Sequence, residues 1–464
     1  MTKRTRTILF YICVFLFILV TPFVVLYSQG YRIDLNPPTG GEKITKTGGF
    51  FLKIEPKQAE IYINEKLIKK TDFFFGSVLI ENLLPKKYDV SIKKEGYQDW
   101  EKNLEVKENL VTEAKNIVLI PKNLNFQVLA EGIKNSFLAP DERKMILKKE
   151  NKDGWYISLF DLENNTESVL TEEKNLSQKK VDFLNLQWSS DSKKILLETA
   201  IAKNQKYFVF ELENPTSVSP IPIDFLGIPE KISFDSGDSQ KLFFQKEGSL
   251  FEIDYKIKII SEPILTDLMT YDIFENRIFG LDKSGLFFVY DPTNKSQEKL
   301  NIEPFSVKKD ASYQIFLNLP EIFLKENNVL FRFNYNLKSF EKIFESVKDS
   351  KFSQDRKKLM LFNDYEVWVL YLKDILVESP KKAGDFQLIS RFSEKINQVF
   401  WLTDYYLIFN FGDKIKVAEI DDRDKIQIWD LSSFKTPEIF WNQNNKELYI
   451  LSEDNFYKSE KLIK

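Results

Sequence analysis

The sequence contains no histidine and only one cysteine, Cys13, among its 464 residues. Without histidine there is no imidazole to act as a general base, to complete a Ser-His-Asp triad or to bind a metal ion. A single cysteine excludes an internal disulfide and a zinc site built from several thiolates. These absences remove the commonest catalytic groups from consideration.

Motifs for phosphate binding, serine hydrolysis and calcium binding are also absent. The chain has no Gly-x-x-x-x-Gly-Lys-Ser/Thr loop and no Gly-x-Ser-x-Gly elbow. Residues 421–424 (Asp-Asp-Arg-Asp) lack the glycine and distal glutamate of an EF-hand, so we interpret them as a turn. A glycosidase-like pair of carboxylates stays open, because 69 residues are Asp or Glu. We expect no cofactor, no catalytic residue and no metal ligand.

One long apolar run, residues 8–27, lies near the N-terminus and carries no charge. Its length matches the about 20 residues that cross a bilayer as a helix. Three of the first six residues are basic, which predicts a cytoplasmic tail (residues 1–7), a transmembrane helix (residues 8–28) and an extracytoplasmic remainder. The alternative is a signal peptide cleaved near residues 28–30, but the apolar run is longer than such peptides usually have. We therefore predict a single-pass protein of the cytoplasmic membrane.

The charge is divided unevenly between the two parts of the exported region. Residues 31–123 carry a net charge of +2, whereas residues 124–464 carry −8. Nucleic-acid binding needs a basic face, so we expect no nucleic-acid partner. An acidic region also disfavours anionic polymers as partners.

Short β patterns begin after a linker of residues 29–46, which includes a proline- and glycine-bearing stretch at residues 36–41. Residues 59–63 and 87–93 alternate between apolar and polar side chains with the period of a strand. Short strands separated by frequent turns predict a small antiparallel β-sandwich over residues 47–122.

Two segments of this region resemble the PEGA domain of bacterial and archaeal envelope proteins. Residues 56–63 (Pro-Lys-Gln-Ala-Glu-Ile-Tyr-Ile) are similar to its Pro-Glu-Gly-Ala strand, and residues 94–100 (Lys-Glu-Gly-Tyr-Gln-Asp-Trp) to its Gly-Tyr-x-x-Trp closure. Gln58 stands where the family has glycine. The resemblance implies contact with wall material or a surface layer. Tyr97 and Trp100 are then candidate binding residues that stack on a sugar; the alternative is that both rings pack in the sandwich core.

Residues 124–464 contain a loose repeat of about 43 residues, the length of a four-stranded propeller blade. Each copy has a polar turn with Asp, Ser or Asn followed by Lys or Arg and an apolar run, as in residues 187–197 and 351–361. Residues 189–193 (Ser-Ser-Asp-Ser-Lys) resemble the Ser-Pro-Asp-Gly-Lys turn of Tol-type periplasmic propellers and of prolyl oligopeptidases. In that turn the aspartate is structural. We favour eight blades over seven; an irregular pair of β-sandwiches explains the alternation but not the turn.

Together these patterns predict an all-β protein with one N-terminal transmembrane helix, a small PEGA-like β-sandwich and a seven- or eight-bladed, WD-repeat-like β-propeller. We expect a non-enzymatic scaffold or binding protein of the bacterial cell surface, in contact with wall glycan, a surface-layer protein or another envelope protein. The alternative is a carboxylate-dependent, glycan-processing enzyme with its site in the propeller funnel. Inward-facing acidic side chains at a funnel mouth would favour the enzyme, and an aromatic rim would favour binding.

Overall fold

The chain begins with a long apolar helix, α1 (Lys3–Ser28). Its most apolar 18-residue window has a mean hydropathy of 2.9, and none of that window is buried in the protein. The helix is long and apolar enough to cross a membrane, although a signal sequence meets the same criteria. The computed structural model describes residues 3–34, 43–213, 218–223, 228–235 and 238–463.

A hairpin of strands β1 (Tyr31–Asp34) and β2 (Lys43–Lys46) follows the helix directly. The predicted linker is therefore partly ordered into strands. The sequence did not predict these strands, because four residues are too few to show a strand periodicity. Its proline- and glycine-bearing stretch, residues 36–41, lies outside the described residues. The Arg32 guanidinium lies 3.5 Å from the centre of the Tyr27 ring and donates a hydrogen bond to Asn82 Oδ1 at 2.9 Å, so the hairpin ties the end of α1 to the next domain.

Two packed sheets form a β-sandwich between residues 48 and 118. Its strands are β3 (Gly48–Glu55), β4 (Glu60–Ile63), β5 (Lys66–Lys70), β6 (Ser77–Leu83), β7 (Lys87–Lys93), β8 (Trp100–Glu105) and β9 (Val111–Val118). One sheet has the order β6-β3-β9, with β3 and β9 parallel, and the other has the order β5-β4-β7-β8. Phe50, Ile61 and Ile92 are fully buried, because alternate side chains of each strand point between the sheets.

Eight four-stranded antiparallel sheets follow within the described residues, and we number them as blades 1–8. Strand β10 (Phe126–Glu131) precedes these blades in the chain and belongs to blade 8. Blades 1–7 each contain four consecutive strands. Blade 1 has β11 (Ile133–Leu138), β12 (Lys144–Asn151), β13 (Gly154–Asp161) and β14 (Thr166–Glu172). Blade 2 has β15 (Val181–Trp188), β16 (Lys194–Ile201), β17 (Asn204–Glu211) and β18 (Ile221–Ile223). Blade 3 has β19 (Lys231–Phe234), β20 (Lys241–Lys246), β21 (Ser249–Asp254) and β22 (Ile259–Ile260). Blade 4 has β23 (Leu268–Phe274), β24 (Arg277–Asp282), β25 (Phe287–Asp291) and β26 (Ser296–Lys299). Blade 5 has β27 (Tyr313–Asn318), β28 (Glu321–Glu326), β29 (Val329–Asn334) and β30 (Ser339–Phe344). Blade 6 has β31 (Asp349–Phe352), β32 (Lys358–Phe362), β33 (Glu366–Tyr371) and β34 (Phe386–Arg391). Blade 7 has β35 (Ile396–Thr403), β36 (Tyr406–Phe411), β37 (Lys414–Glu419) and β38 (Ile428–Ser433). A short helix, α2 (Glu173–Leu176), lies between blades 1 and 2.

Blade 8 combines the two ends of the repeat region. It contains β39 (Glu438–Asn442), β40 (Glu447–Ser452) and β41 (Asn455–Ser459), and its outer strand is β10 (Phe126–Glu131), which precedes blade 1 in the sequence. Phe126 of β10 lies opposite Ser459 of β41. This pairing closes a ring of eight blades, so the predicted propeller is confirmed with the favoured blade number. The alternative pair of β-sandwiches is wrong.

The repeated polar turn connects the first and second strands of a blade. In blade 2, Ser189 Oγ donates to Asp191 Oδ1 at 2.6 Å and accepts a hydrogen bond from the Lys194 N–H at 2.9 Å. Ser192 has a φ of 57° at the position where the related motif has glycine. The aspartate therefore shapes its own turn, as predicted.

The blades stand with their first strands innermost, where β23 contacts β27 and β35 contacts β39. Turns between first and second strands lie on one face of the ring, together with the loops between third and fourth strands; we call this the turn face. The second-to-third turns and the connections between blades lie on the opposite side, which we call the connection face.

Candidate functional site

The sandwich packs against the turn face of blades 6, 7 and 8. Its edge strands β8 and β9, one from each sheet, lie at this junction. One hydrophobic core continues across it and includes Trp100 and Ile120 on the sandwich side and Tyr406, Trp441 and Ile450 on the propeller side. The two domains therefore form one packed unit.

Lys102 and Glu419 form a buried ion pair at this junction. Lys102 Nζ lies 2.6 Å from Glu419 Oε1, and the side chains are 0% and 3% exposed. Lys102 Nζ also donates to the carbonyl oxygens of Asp421 (2.7 Å), Arg423 (3.1 Å) and Lys425 (2.6 Å), in the loop between β37 and β38. Burial raises the pKa of Glu419, and the Lys102 charge opposes that rise. With four acceptors around three ammonium protons, Lys102 clamps the loop to the sandwich.

The acidic run at residues 421–424 belongs to the same loop. The Asp424 carboxylate accepts a hydrogen bond from the Asn103 N–H at 3.0 Å, and Arg423 Nη1 donates to the Glu113 carbonyl at 2.7 Å. These contacts satisfy backbone groups of β8 and β9 that an open sheet edge would leave unpaired. The sequence predicts only a turn here. In the structure the run is a loop that docks the propeller on the sandwich.

Tyr97 and Trp100 are not available to stack on a sugar. Tyr97 is 8% exposed and Trp100 is 1% exposed, and the Trp100 indole N–H donates to Glu419 Oε2 at 2.9 Å. The predicted sugar-stacking pair is therefore wrong, and the alternative of core packing is the observed one. No local sequence pattern indicates that Trp100 packs in a core shared with the propeller, because its hydrogen-bond partner lies 319 positions away.

Acidic side chains at the turn face are engaged in hydrogen bonds between neighbouring blades. Ser239 Oγ donates to Asp191 Oδ2 at 2.9 Å, and the Asp355 N–H donates to Asp404 Oδ1 at 3.0 Å. Within the described ranges, no group of three or more Asp, Glu or Cys side chains is arranged to hold a metal ion. These carboxylates stabilise the ring of turns.

A cleft of about 760 Å³ opens on the connection face at blades 5 and 6. Its charged side chains pair with one another: Arg391 lies 2.5 Å from Glu366, and Lys348 lies 4.0 Å from Asp364. The Tyr365 ring stands among them and is 44% exposed. The cleft is lined by Asn328, Ser346, Lys348, Asn363, Asp364, Tyr365, Glu366, Arg391 and Phe392. A half-exposed ring among amides and neutralised charges suits an uncharged polar ligand.

This cleft lies outside the sites predicted from the sequence. Its residues come from two short turns and two blade connections that are far apart along the chain, and no shared motif marks them. The Asn363-Asp364-Tyr365 turn is the only local signal, and a polar turn of this kind follows the second strand in several blades.

Comparison with known proteins identifies the first domain. Residues 48–119 match the family model of the PEGA domain, so the sandwich is a PEGA domain. The chain as a whole combines this domain with a C-terminal β-propeller. A search of curated proteins found no match.

Solved structures similar to this chain include several propellers. The C-terminal WD40 domain of Sif2 is 12% identical, with 72% of this chain and 97% of that chain covered and a TM-score of 0.47. The Dos1 propeller is 12% identical, with 72% and 94% covered and a TM-score of 0.44. A structure from a study of two prolyl endopeptidases is 12% identical, with 71% and 55% covered and a TM-score of 0.42.

Proposed function

We propose that this protein is a membrane-anchored, extracytoplasmic scaffold that binds an envelope partner without chemical turnover. In this proposal α1 is the anchor, residues 1–7 stay in the cytoplasm, and the PEGA domain and propeller lie outside. The observation that carries it is the direct coupling of a long apolar helix to a packed two-domain unit, through Arg32 at one end and the Lys102–Glu419 junction at the other. Such a unit holds a binding surface at a fixed place near the membrane.

The cleft at blades 5 and 6 is the partner site in this proposal. It lies on the connection face, opposite the face that the PEGA domain covers. The net charge of −8 on residues 124–464 disfavours anionic polymers, and the cleft's own charges are paired. The partner that fits is rich in hydroxyl and amide groups, such as a wall glycan or the surface of an envelope protein.

Protease treatment of cells whose outer barriers have been opened tests the anchor. We expect digestion of the PEGA domain and propeller, with a fragment that contains α1 retained in the membrane. A mature protein that begins at Tyr31 would contradict the anchor.

A binding assay with the detergent-solubilised full chain and wall-glycan fragments tests the site. Tyr365→Ala should weaken binding about tenfold, because an aromatic contact is a typical source of binding energy. Tyr335→Ala is the matched control, since Tyr335 is 49% exposed but lies on the turn face. Equal losses in the two variants, or cleavage of the glycan, would count against the proposal.

A further inference from the structure

A loop on the free side of the PEGA domain exposes three consecutive phenylalanines. Phe73, Phe74 and Phe75 are 65%, 74% and 74% exposed. Their loop joins β5 to β6, which are the outer strands of the two sheets, whereas the propeller covers the opposite strands β8 and β9. Contiguous aromatic rings in water mark an interaction surface.

The loop has a defined shape before any partner binds. The Asp72 carboxylate accepts hydrogen bonds from the backbone N–H groups of Phe74 (2.8 Å), Phe75 (2.5 Å) and Ser77 (2.8 Å). Lys57 Nζ donates to the Phe74 carbonyl at 2.6 Å. A loop held in this way presents its rings without a further cost in backbone entropy.

The phenylalanines and the end of α1 flank the same edge strand. Strand β6 begins at Ser77, beside the loop, and ends at Leu83, beside the Asn82 side chain that binds Arg32. Seven strand residues span about 20 Å. A flat surface that runs along β6 therefore reaches both the end of α1 and the three rings, with the propeller on the other side of the domain.

Basic and apolar residues accompany the rings along the neighbouring edge strand. Strand β5 reads Lys-Leu-Ile-Lys-Lys, and all five side chains are exposed. One of these lysines, Lys70, forms a salt bridge with Glu60, with Nζ 2.8 Å from Oε1. Aromatic rings enter the headgroup region of a bilayer, and adjacent lysines are attracted to anionic lipid phosphates. This chemistry favours a lipid surface over a protein partner.

We propose that Phe73, Phe74 and Phe75 form a second membrane contact, which inserts into the leaflet from which α1 emerges. The inference rests on the proposed role of α1 as an anchor. Two contacts about 20 Å apart fix the tilt of the PEGA domain. The propeller, packed on the opposite edge, is then held away from the bilayer in one orientation.

The test uses the full chain with Cys13→Ser, reconstituted into nanodiscs of phosphatidylcholine and phosphatidylglycerol. A polarity-sensitive fluorophore is attached at Phe74→Cys, and nitroxide-labelled lipids serve as quenchers. We expect blue-shifted emission and about twofold quenching, because the probe sits within the lipid interface. The matched control is Tyr365→Cys on the connection face, which should show neither effect.

Each outcome separates the two proposals. A protein that fails to co-purify with the nanodisc overturns the anchor. A protein that co-purifies while the Phe74 probe stays unquenched overturns the second contact alone. Probe emission that is blue-shifted without quenching, together with cross-linking between two chains at this site, would assign the rings to a second copy and would also overturn it.

Discussion

The two edges of the PEGA domain bear the same kind of ion pair in opposite surroundings. At the edge that faces the propeller, Lys102 and Glu419 are 0% and 3% exposed. At the free edge, Lys70 and Glu60 are 60% and 35% exposed. Water screens the charges of the outer pair. The inner pair is removed from water, and the contacts that its two side chains make must offset this desolvation cost. Position relative to solvent, rather than residue type, therefore decides what each pair does.

The backbones of the two edges differ in the same way. Hydrogen bonds with the propeller loop cover β8 and β9, whereas lysines occupy the exposed strand β5. Lysine on a free edge discourages pairing with another strand, and docking removes the free edge altogether. One domain thus uses both solutions, which leaves its free edge for a surface other than a β-strand.

Deletion of the blade 8 strands that pack near the covered edge of the PEGA domain should have the largest effect on stability. Deletion of residues 437–464 removes three strands of blade 8, including Ile439, Trp441 and Ile450 of the shared core. We expect loss of the cooperative melting transition of both domains in calorimetry, because the ring no longer closes. A truncated protein with an unchanged melting temperature would refute ring closure.

Disruption of the buried pair should come next. Lys102→Met leaves Glu419 buried without its partner and should destabilise the protein by about 3–5 kcal/mol. Burial raises the folded-state pKa of Glu419 and the Lys102 charge opposes that rise, so removal of Lys102 should raise this pKa further. The loss should therefore grow as the pH rises above the folded-state pKa of the unsubstituted protein. Denaturant titrations from pH 4 to pH 8 measure this trend.

The double variant Lys102→Met/Glu419→Leu is the control for that experiment. It removes both charges and should recover part of the lost stability, because no unpaired charge then stays buried. The Trp100 indole N–H and the three loop carbonyls still lose their partners, so recovery should be incomplete. If the double variant were as unstable as the single one, the ion pair itself would be stabilising.

Loosening of the phenylalanine loop should have a smaller, local effect. Backbone and side-chain hydrogen bonds lower the pKa of Asp72 to about 2, from an ordinary value of 3.8. A lowered folded pKa means that the carboxylate stabilises the loop above about pH 4 and loses this effect as the pH falls toward 2. Asp72→Asn should therefore speed amide hydrogen exchange at residues 74–77 at neutral pH, with exchange in β3 as the internal reference. Equal exchange in the two proteins would contradict this role.

Disruption of the exposed pair should have the smallest effect and completes the comparison. Lys70→Met is the counterpart of Lys102→Met at the free edge, and we expect the melting temperature to change by about 1 °C or less. A shift similar to that of Lys102→Met would show that solvent exposure does not separate the two edges.

Sequence patterns predicted the elements that depend on local periodicity. The apolar run predicted α1, and alternation with short motifs predicted the PEGA domain. The polar turn and its repeat length predicted eight blades. Each of these signals lies within a few tens of residues. The hairpin β1–β2 was missed because four-residue strands carry too little pattern.

The sequence by itself determined which segments become helix, sandwich and blade, because hydrophobic periodicity and turn chemistry act between near neighbours. Only the tertiary structure decided that Trp100 packs against Glu419, that residues 421–424 dock the PEGA domain, and that β10 closes blade 8. These contacts join residues more than 300 positions apart. Whether a side chain is buried or a strand edge is paired depends on which distant segments pack against it in the folded chain. The linear pattern of apolar and charged residues is the same for a covered edge and for a free edge.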